Sequence, residues 1–103
     1  KNAIGINENT EFVHKSNVQV TPNPATQQVS LNFTMNSSGK GNAEILDLNG
    51  KCIYQTSFNA GIGTETTLIW NLTNQSGKKV NSGIYLCRIV NGNEIITGKI
   101  VVQ

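Results

Sequence analysis

Charge is scarce in this chain: 14% of its 103 residues are Asp, Glu, Lys or Arg, with a single histidine and a single arginine. Lys1, Lys15, Lys40, Lys51, Lys78, Lys79 and Lys99 are scattered, so the net charge of +2 builds no basic stripe for a phosphate backbone to follow. Nucleic acid is thereby excluded as a partner. Long apolar runs are also missing: none approaches the roughly 20 residues that span a bilayer. Lys1 to Thr10 lacks the basic-then-apolar plan of a signal peptide, so an export signal is expected upstream of this segment. His14 lies in a polar, linker-like head, so a Cys-His or Ser-His pair would require that segment to fold onto the rest of the domain. Of the acids Glu8, Glu11, Glu44, Asp47, Glu65 and Glu94, only Glu44 and Asp47 are close within the alternating part of the chain, and their odd spacing turns them to opposite sides of a strand. Asp47 is better placed to order the turn that follows it. No alternating run of acids forms a calcium loop, and Gly61-Ile62-Gly63 lacks the Lys-Ser/Thr and the helix of a phosphate loop. These absences imply no enzyme, no side-chain metal site and no cofactor, and leave open only a calcium site built on backbone carbonyls.

What is present is alternation. From Val18 onward, short stretches of alternating apolar and polar residues are punctuated by Gly and Asn, and nothing sustains a helical period. Asn17 to Val20 is a short extended segment that runs into the rigid corner Thr21-Pro22-Asn23-Pro24. Gln28 to Met35 places Val29, Leu31, Phe33 and Met35 on one face. Ser37 to Gly41 reads as a turn, Asn42 to Leu48 as a strand, and Asn49-Gly50 as a two-residue hairpin with positive φ at both positions. Strands are expected at Lys51 to Phe58, Thr66 to Asn71, Gly83 to Val90 and Glu94 to Val102, the last two joined by Asn91-Gly92-Asn93, whose Asn-Gly pair again reads as a hairpin turn. About seven antiparallel strands with one central Trp predict an all-β, immunoglobulin-like sandwich of two sheets, an up-and-down barrel being the alternative. The expected core is Val29, Leu31, Phe33, Ile45, Trp70, Tyr85, Ile89 and Ile100. Residues 1–17 read as a linker or one short extra strand, and 18–103 as the domain. Four Asn-x-Ser/Thr triplets, beginning at Asn32, Asn36, Asn71 and Asn74, are what an Asn- and Thr-rich chain yields by chance.

Cys52 and Cys87 match no zinc or thioredoxin-type spacing. Two structural readings stay open: a disulfide contributing on the order of 3 kcal/mol, or two free thiols acting as small apolar residues.

The turns carry the remaining information. Pro22-Asn23-Pro24 opens the domain, Asp47-Leu48-Asn49-Gly50-Lys51 marks the first hairpin, and Trp70-Asn71 ends a middle strand. Gly77-Lys78-Lys79-Val80-Asn81-Ser82-Gly83-Ile84-Tyr85 leads into the penultimate strand, and Gly98-Lys99-Ile100-Val101-Val102 nearly ends the chain. In order and spacing, this set resembles the type A C-terminal sorting domain of the type IX secretion system of Bacteroidetes, over roughly Val18 to Gln103. It departs from that pattern in its two cysteines and in Thr21, where an aromatic residue commonly precedes Pro-Asn-Pro. The resemblance implies a larger passenger upstream in the same chain, carried through the periplasm to the outer-membrane surface or the medium. It implies as partners the outer-membrane translocon and a sortase-like peptidase that cuts in the linker. Pro22, Asn23, Pro24, Asp47, Gly50, Lys51, Gly77, Gly83, Tyr85, Gly98, Lys99, Ile100, Val101 and Val102 are then the candidate sorting residues. The rival reading is an accessory module binding protein or carbohydrate, which an exposed pair among Tyr54, Trp70 and Tyr85 would favour. An open edge strand would also offer a route to weak homodimers.

Overall fold

Residues 18–103 are described by a computed structural model, and the linker expected at 1–17, with His14, lies outside them. Seven strands follow one another: β1 (Gln19–Thr21), β2 (Val29–Thr34), β3 (Gly39–Leu46), β4 (Cys52–Ala60), β5 (Glu65–Trp70), β6 (Gly83–Asn91) and β7 (Glu94–Val102). They form two sheets, ordered β1-β2-β5 and β4-β3-β6-β7, with every strand pair antiparallel. The sheets are not joined edge to edge, so the molecule is an immunoglobulin-like sandwich and not a barrel.

Alternation decides which side chains meet between the sheets. In β2, Val29, Leu31 and Phe33 are buried while Ser30, Asn32 and Thr34 are not. In β6, Tyr85, Cys87, Ile89 and Asn91 point inward, and Ile84, Leu86 and Arg88 outward. All eight expected core residues are buried. They divide into two clusters. One gathers Trp70, Leu31, Ile45, Tyr85, Cys87 and Ile100, and the other Phe33, Met35, Ala43, Phe58, Ile89 and Ile96. Each is organised by an edge-to-face aromatic pair, Trp70 with Tyr85 at 5.8 Å and Phe33 with Phe58 at 5.1 Å, the arrangement that ring quadrupoles favour.

Three expectations are corrected. The segment expected as a turn, Ser37 to Gly41, is half strand: β3 begins at Gly39, because the Phe58 ring lies over Gly41 and fills the place a Cβ would occupy. The first hairpin is not a two-residue turn, since only Gly50 of the pair has positive φ, at 84°. It is a three-residue loop: Gly50 N–H donates to the Asp47 carbonyl at 3.0 Å, and Asp47 N–H to the Lys51 carbonyl at 2.9 Å. That is a type I turn followed by a left-handed glycine. The second hairpin does turn on two residues, but these are Gly92 and Asn93, with positive φ at Gly92 alone.

The disulfide reading also fails. Cys52 pairs with Leu46 and Cys87 with Ile45, so the two cysteines flank β3 from opposite sides. Two strand spacings of about 4.8 Å separate them, beyond the roughly 7 Å that a disulfide can bridge. Cys87 is buried in the core, Cys52 is exposed, and both are free thiols.

Candidate functional site

The corner between β1 and β2 is built to close a sheet edge. Its two prolines carry no N–H, so the turn has few donors to satisfy. Asn23 uses its side chain as a substitute peptide group: its Nδ2 donates to the Lys99 carbonyl at 3.1 Å, and its Oδ1 accepts from Val101 N–H at 2.9 Å. Ala25 continues the pairing with its backbone, donating to the Val101 carbonyl at 2.8 Å and accepting from Gln103 N–H at 2.9 Å. Ala25 is wholly buried in a parallel bridge to Val102. Pro22-Asn23-Pro24 thus clamps the end of β7, which would otherwise be an open strand edge.

Every residue of Gly98-Lys99-Ile100-Val101-Val102 has a distinct place in this arrangement. Gly98 lies opposite Cys87, and a Cβ there would sit 3.1 Å from both Cys87 Sγ and Val18 Cβ, so the missing side chain is what lets the chain cross at β1. Ile100 and Val102 enter the core. Lys99 and Val101 offer their backbone to the clamp and carry their side chains on the outer face.

Tyr85 pairs with Ile100, and Gly83 with Val102, at the same end of the molecule. The Tyr85 hydroxyl donates to the Asn81 carbonyl at 2.7 Å, fixing the loop into β6 in the manner of a tyrosine corner. Trp70 Nε1 donates to the Thr73 carbonyl at 2.8 Å, and Lys79 Nζ reaches the carbonyls of Asn71 and Gln27 at 2.9 and 3.2 Å. Gly77 belongs to a turn that repeats the first hairpin. Asp47 Oδ1 accepts from the N–H groups of Asn49 and Lys51, and Asn74 Oδ1 accepts from those of Ser76 and Lys78. Gly50 and Gly77 hold the same left-handed φ, 84° and 88°. The shared pattern of Asx, two residues, Gly and Lys is plain in Asp47–Lys51 and Asn74–Lys78, and sequence reasoning passed over it. From this second turn, Gln75 pairs with β4, donating to the Ile53 carbonyl and accepting from Gln55 N–H. That loop covers part of the opposite sheet edge.

The register brings these segments together. β3 ends at Leu46 beside the start of β6, so the Asp47–Lys51 turn, the Gly77 loop, Gly83, Tyr85, the clamp and the end of β7 share one end of the sandwich. The loops at Ser37, Ile62 and Gly92 occupy the other end.

Burial pushes the Cys87 thiol up to about 11, which keeps it protonated and unreactive. Glu44 is held by Arg88, with Nε at 2.9 Å and Nη2 at 2.5 Å, and Asp47 is committed to its turn. Among the described residues no three of His, Cys, Asp and Glu gather as metal ligands. Trp70 and Tyr85 are buried, so no exposed pair among Tyr54, Trp70 and Tyr85 offers a sugar a stacking platform. A narrow apolar slot between the edges of β4 and β5, lined by Leu31, Ala43, Ile45, Tyr54, Leu68 and Trp70, is part of the core. Among the described residues no helix is long and apolar enough to cross a membrane.

Comparison with known proteins agrees with this geometry. No curated protein matches the chain. Solved structures do resemble it, PorU and PorZ among them. Latent dimeric PorU from Porphyromonas gingivalis superposes with a TM-score of 0.65 at 22% identity, over 82% of this chain and 9% of that one. PorZ, described as an essential surface component of the type IX secretion system of the same organism, gives 0.59 at 25% identity, over 84% of this chain and 11% of that one. The chain therefore spans about a tenth of the length of either. Residues 19–103 match the family described as the secretion system C-terminal sorting domain. With that match covering the whole described sandwich, clamp and terminal strand included, the chain belongs to the family of C-terminal sorting domains of the type IX secretion system.

Proposed function

We propose that this domain directs a larger passenger in the same chain to the type IX translocon, and that a sortase-like peptidase then removes it by cutting within residues 1–17. The determinant is a folded unit made of Pro22, Asn23, Pro24, Asp47, Gly50, Lys51, Gly77, Gly83, Tyr85 and Gly98 to Val102. The observation that carries this reading is the clamp: the first and last of these motifs are bonded to each other through Asn23, Lys99 and Val101. A signal of this kind is legible only when the domain is folded, because unfolding separates its two halves. Family membership and the likeness to PorZ support the route to the cell surface.

The test fuses residues 1–103 behind a secreted reporter in a host with a working type IX system. The intact fusion reaches the surface or the medium, and a fusion lacking Gly98 to Gln103 stays in the periplasm. Equal delivery of the two fusions refutes the proposal. Limited proteolysis of the purified chain locates the cleavable segment: early cuts after Lys15 support removal within 1–17, and full protection of that segment refutes it.

A further inference from the structure

We propose that the outer face of the four-stranded sheet, at its motif-bearing end, is the surface on which the export machinery's receptor docks, and that this receptor is a protein presenting an apolar ridge beside carboxylates. The inference deepens the sorting function and rests on it.

The two outer faces of the sandwich differ sharply. That of the three-stranded sheet is polar, carrying Gln19, Ser30, Asn32, Thr34 and Thr67, with Ile69 standing singly among them. On the four-stranded sheet, Leu46 pairs with Leu86 and Ile84 with Val101, so four aliphatic side chains adjoin. Ile84 and Leu86 are 40% and 39% exposed, and contiguous apolar surface of this kind marks an interaction site where single exposed residues do not.

The patch is made from the motifs themselves. In Gly98-Lys99-Ile100-Val101-Val102 and Gly83-Ile84-Tyr85, the buried positions Ile100, Val102 and Tyr85 are accounted for by the core. Lys99, Val101 and Ile84 are not needed there, and all three emerge on this one face. Asn23 grips the strand by its backbone at Lys99 and Val101, which fixes the plane in which those two side chains are shown.

Charge identifies the occupant. At this end the face carries Lys99, directly opposite Leu86 and without an ion pair among the described residues, beside Arg88, which Glu44 holds; Lys40 stands at the far end of β3. An acidic rim on the partner complements Lys99. A second copy of the chain fits poorly, because it presents the same patch and offers Lys99 no free carboxylate, Glu44 being held by Arg88. An anionic lipid surface is held by clusters of about four to eight basic groups. Here three cations are spread over a sheet and one of them is tied to Glu44.

The experiment uses the same reporter fusion with Ile84→Thr and Leu86→Thr combined, and separately with Lys99→Glu. Thr suits a strand, so the double variant keeps the backbone pairing. Protection of Cys87 from a thiol reagent confirms folding in each case. The expected result is an about tenfold fall in surface reporter for both, the scale of losing a central contact, with Ile69→Thr and Thr67→Lys on the other face unchanged. Normal export of either folded variant overturns the proposal, as does an equal loss from the control face. Wild-type chain that binds lipopolysaccharide vesicles through Leu86 overturns it in favour of lipid, and a concentration-dependent dimer broken by Lys99→Glu overturns it in favour of a second copy. Failure of the unmodified fusion to leave the periplasm strikes the sorting function instead, and the docking face falls with it.

Discussion

Replacing Asn23 by Ala removes both side-chain bonds that hold the end of β7, the donation to Lys99 and the acceptance from Val101. Each is worth about 0.5 to 1.5 kcal/mol net, and both backbone groups lie where water can replace the lost partner, so the sum is roughly 1 to 3 kcal/mol. A small domain is stable by about 5 to 15 kcal/mol, so the variant remains folded. With a urea dependence of about 1 kcal/mol per molar for a domain of this size, the unfolding midpoint falls by roughly 1 to 3 M. The local effect is larger than the global one. Val101 N–H loses its only side-chain acceptor and exchanges with solvent faster, while Ile89 N–H, central in β6, exchanges only as fast as the lowered global stability dictates. Asn23→Asp separates the two bonds: the carboxylate keeps the acceptor for Val101 but sets its other oxygen against the Lys99 carbonyl, so the loss is at least that of the Lys99 bond. An unchanged midpoint together with unchanged Val101 exchange in Asn23→Ala would show that the clamp is ornamental and would refute the reasoning.

The cysteines give a second test: a thiol reagent modifies Cys52 in the native protein and Cys87 only on unfolding. Burial raises the folded Cys87 thiol from 9.0 to about 11, so its contribution is fully present below pH 9 and is lost as pH rises toward 11. Urea midpoints across that window fall more steeply for wild type than for Cys87→Ala, and parallel slopes would contradict the burial. Trp70→Ala empties the centre of the first core cluster and frees the Thr73 carbonyl, at a cost of roughly 3 to 5 kcal/mol; a melt followed by circular dichroism shows a midpoint far below that of wild type, and an unchanged melt would place the ring outside the core. Tyr85→Phe removes only the bond to Asn81 and lowers the stability by about 0.5 to 1.5 kcal/mol, with fluorescence of the neighbouring Trp70 as the readout. Gly50→Ala and Gly77→Ala force the same left-handed φ on a residue with a Cβ, so each costs about 1 to 2 kcal/mol, and losses that differ widely would show the two turns to be unlike.

The strands and the core were legible in the sequence because both arise from near neighbours. A period of two needs no knowledge of the rest of the chain, so Val29, Leu31 and Phe33 announce a buried face, and Tyr85 and Ile89 another. The order of turns sufficed to mark the family. Turn geometry was only half legible, since Asn-Gly signals a reversal but the Asp47 carbonyl and carboxylate select the three-residue form. Gly39 to Gly41 was misread as a turn because Phe58, which covers Gly41, lies on another strand. The state of the cysteines was beyond the sequence as well: it depends on β3 lying between β4 and β6, a matter of sheet order. So was the clamp. Its bonds join residues 76 and 78 positions apart, and nothing in Pro-Asn-Pro says which edge its amide will meet. Side-chain period and backbone bias are properties of a few adjacent residues, whereas strand order, edge closure and a shared outer face exist only once the sheets have paired.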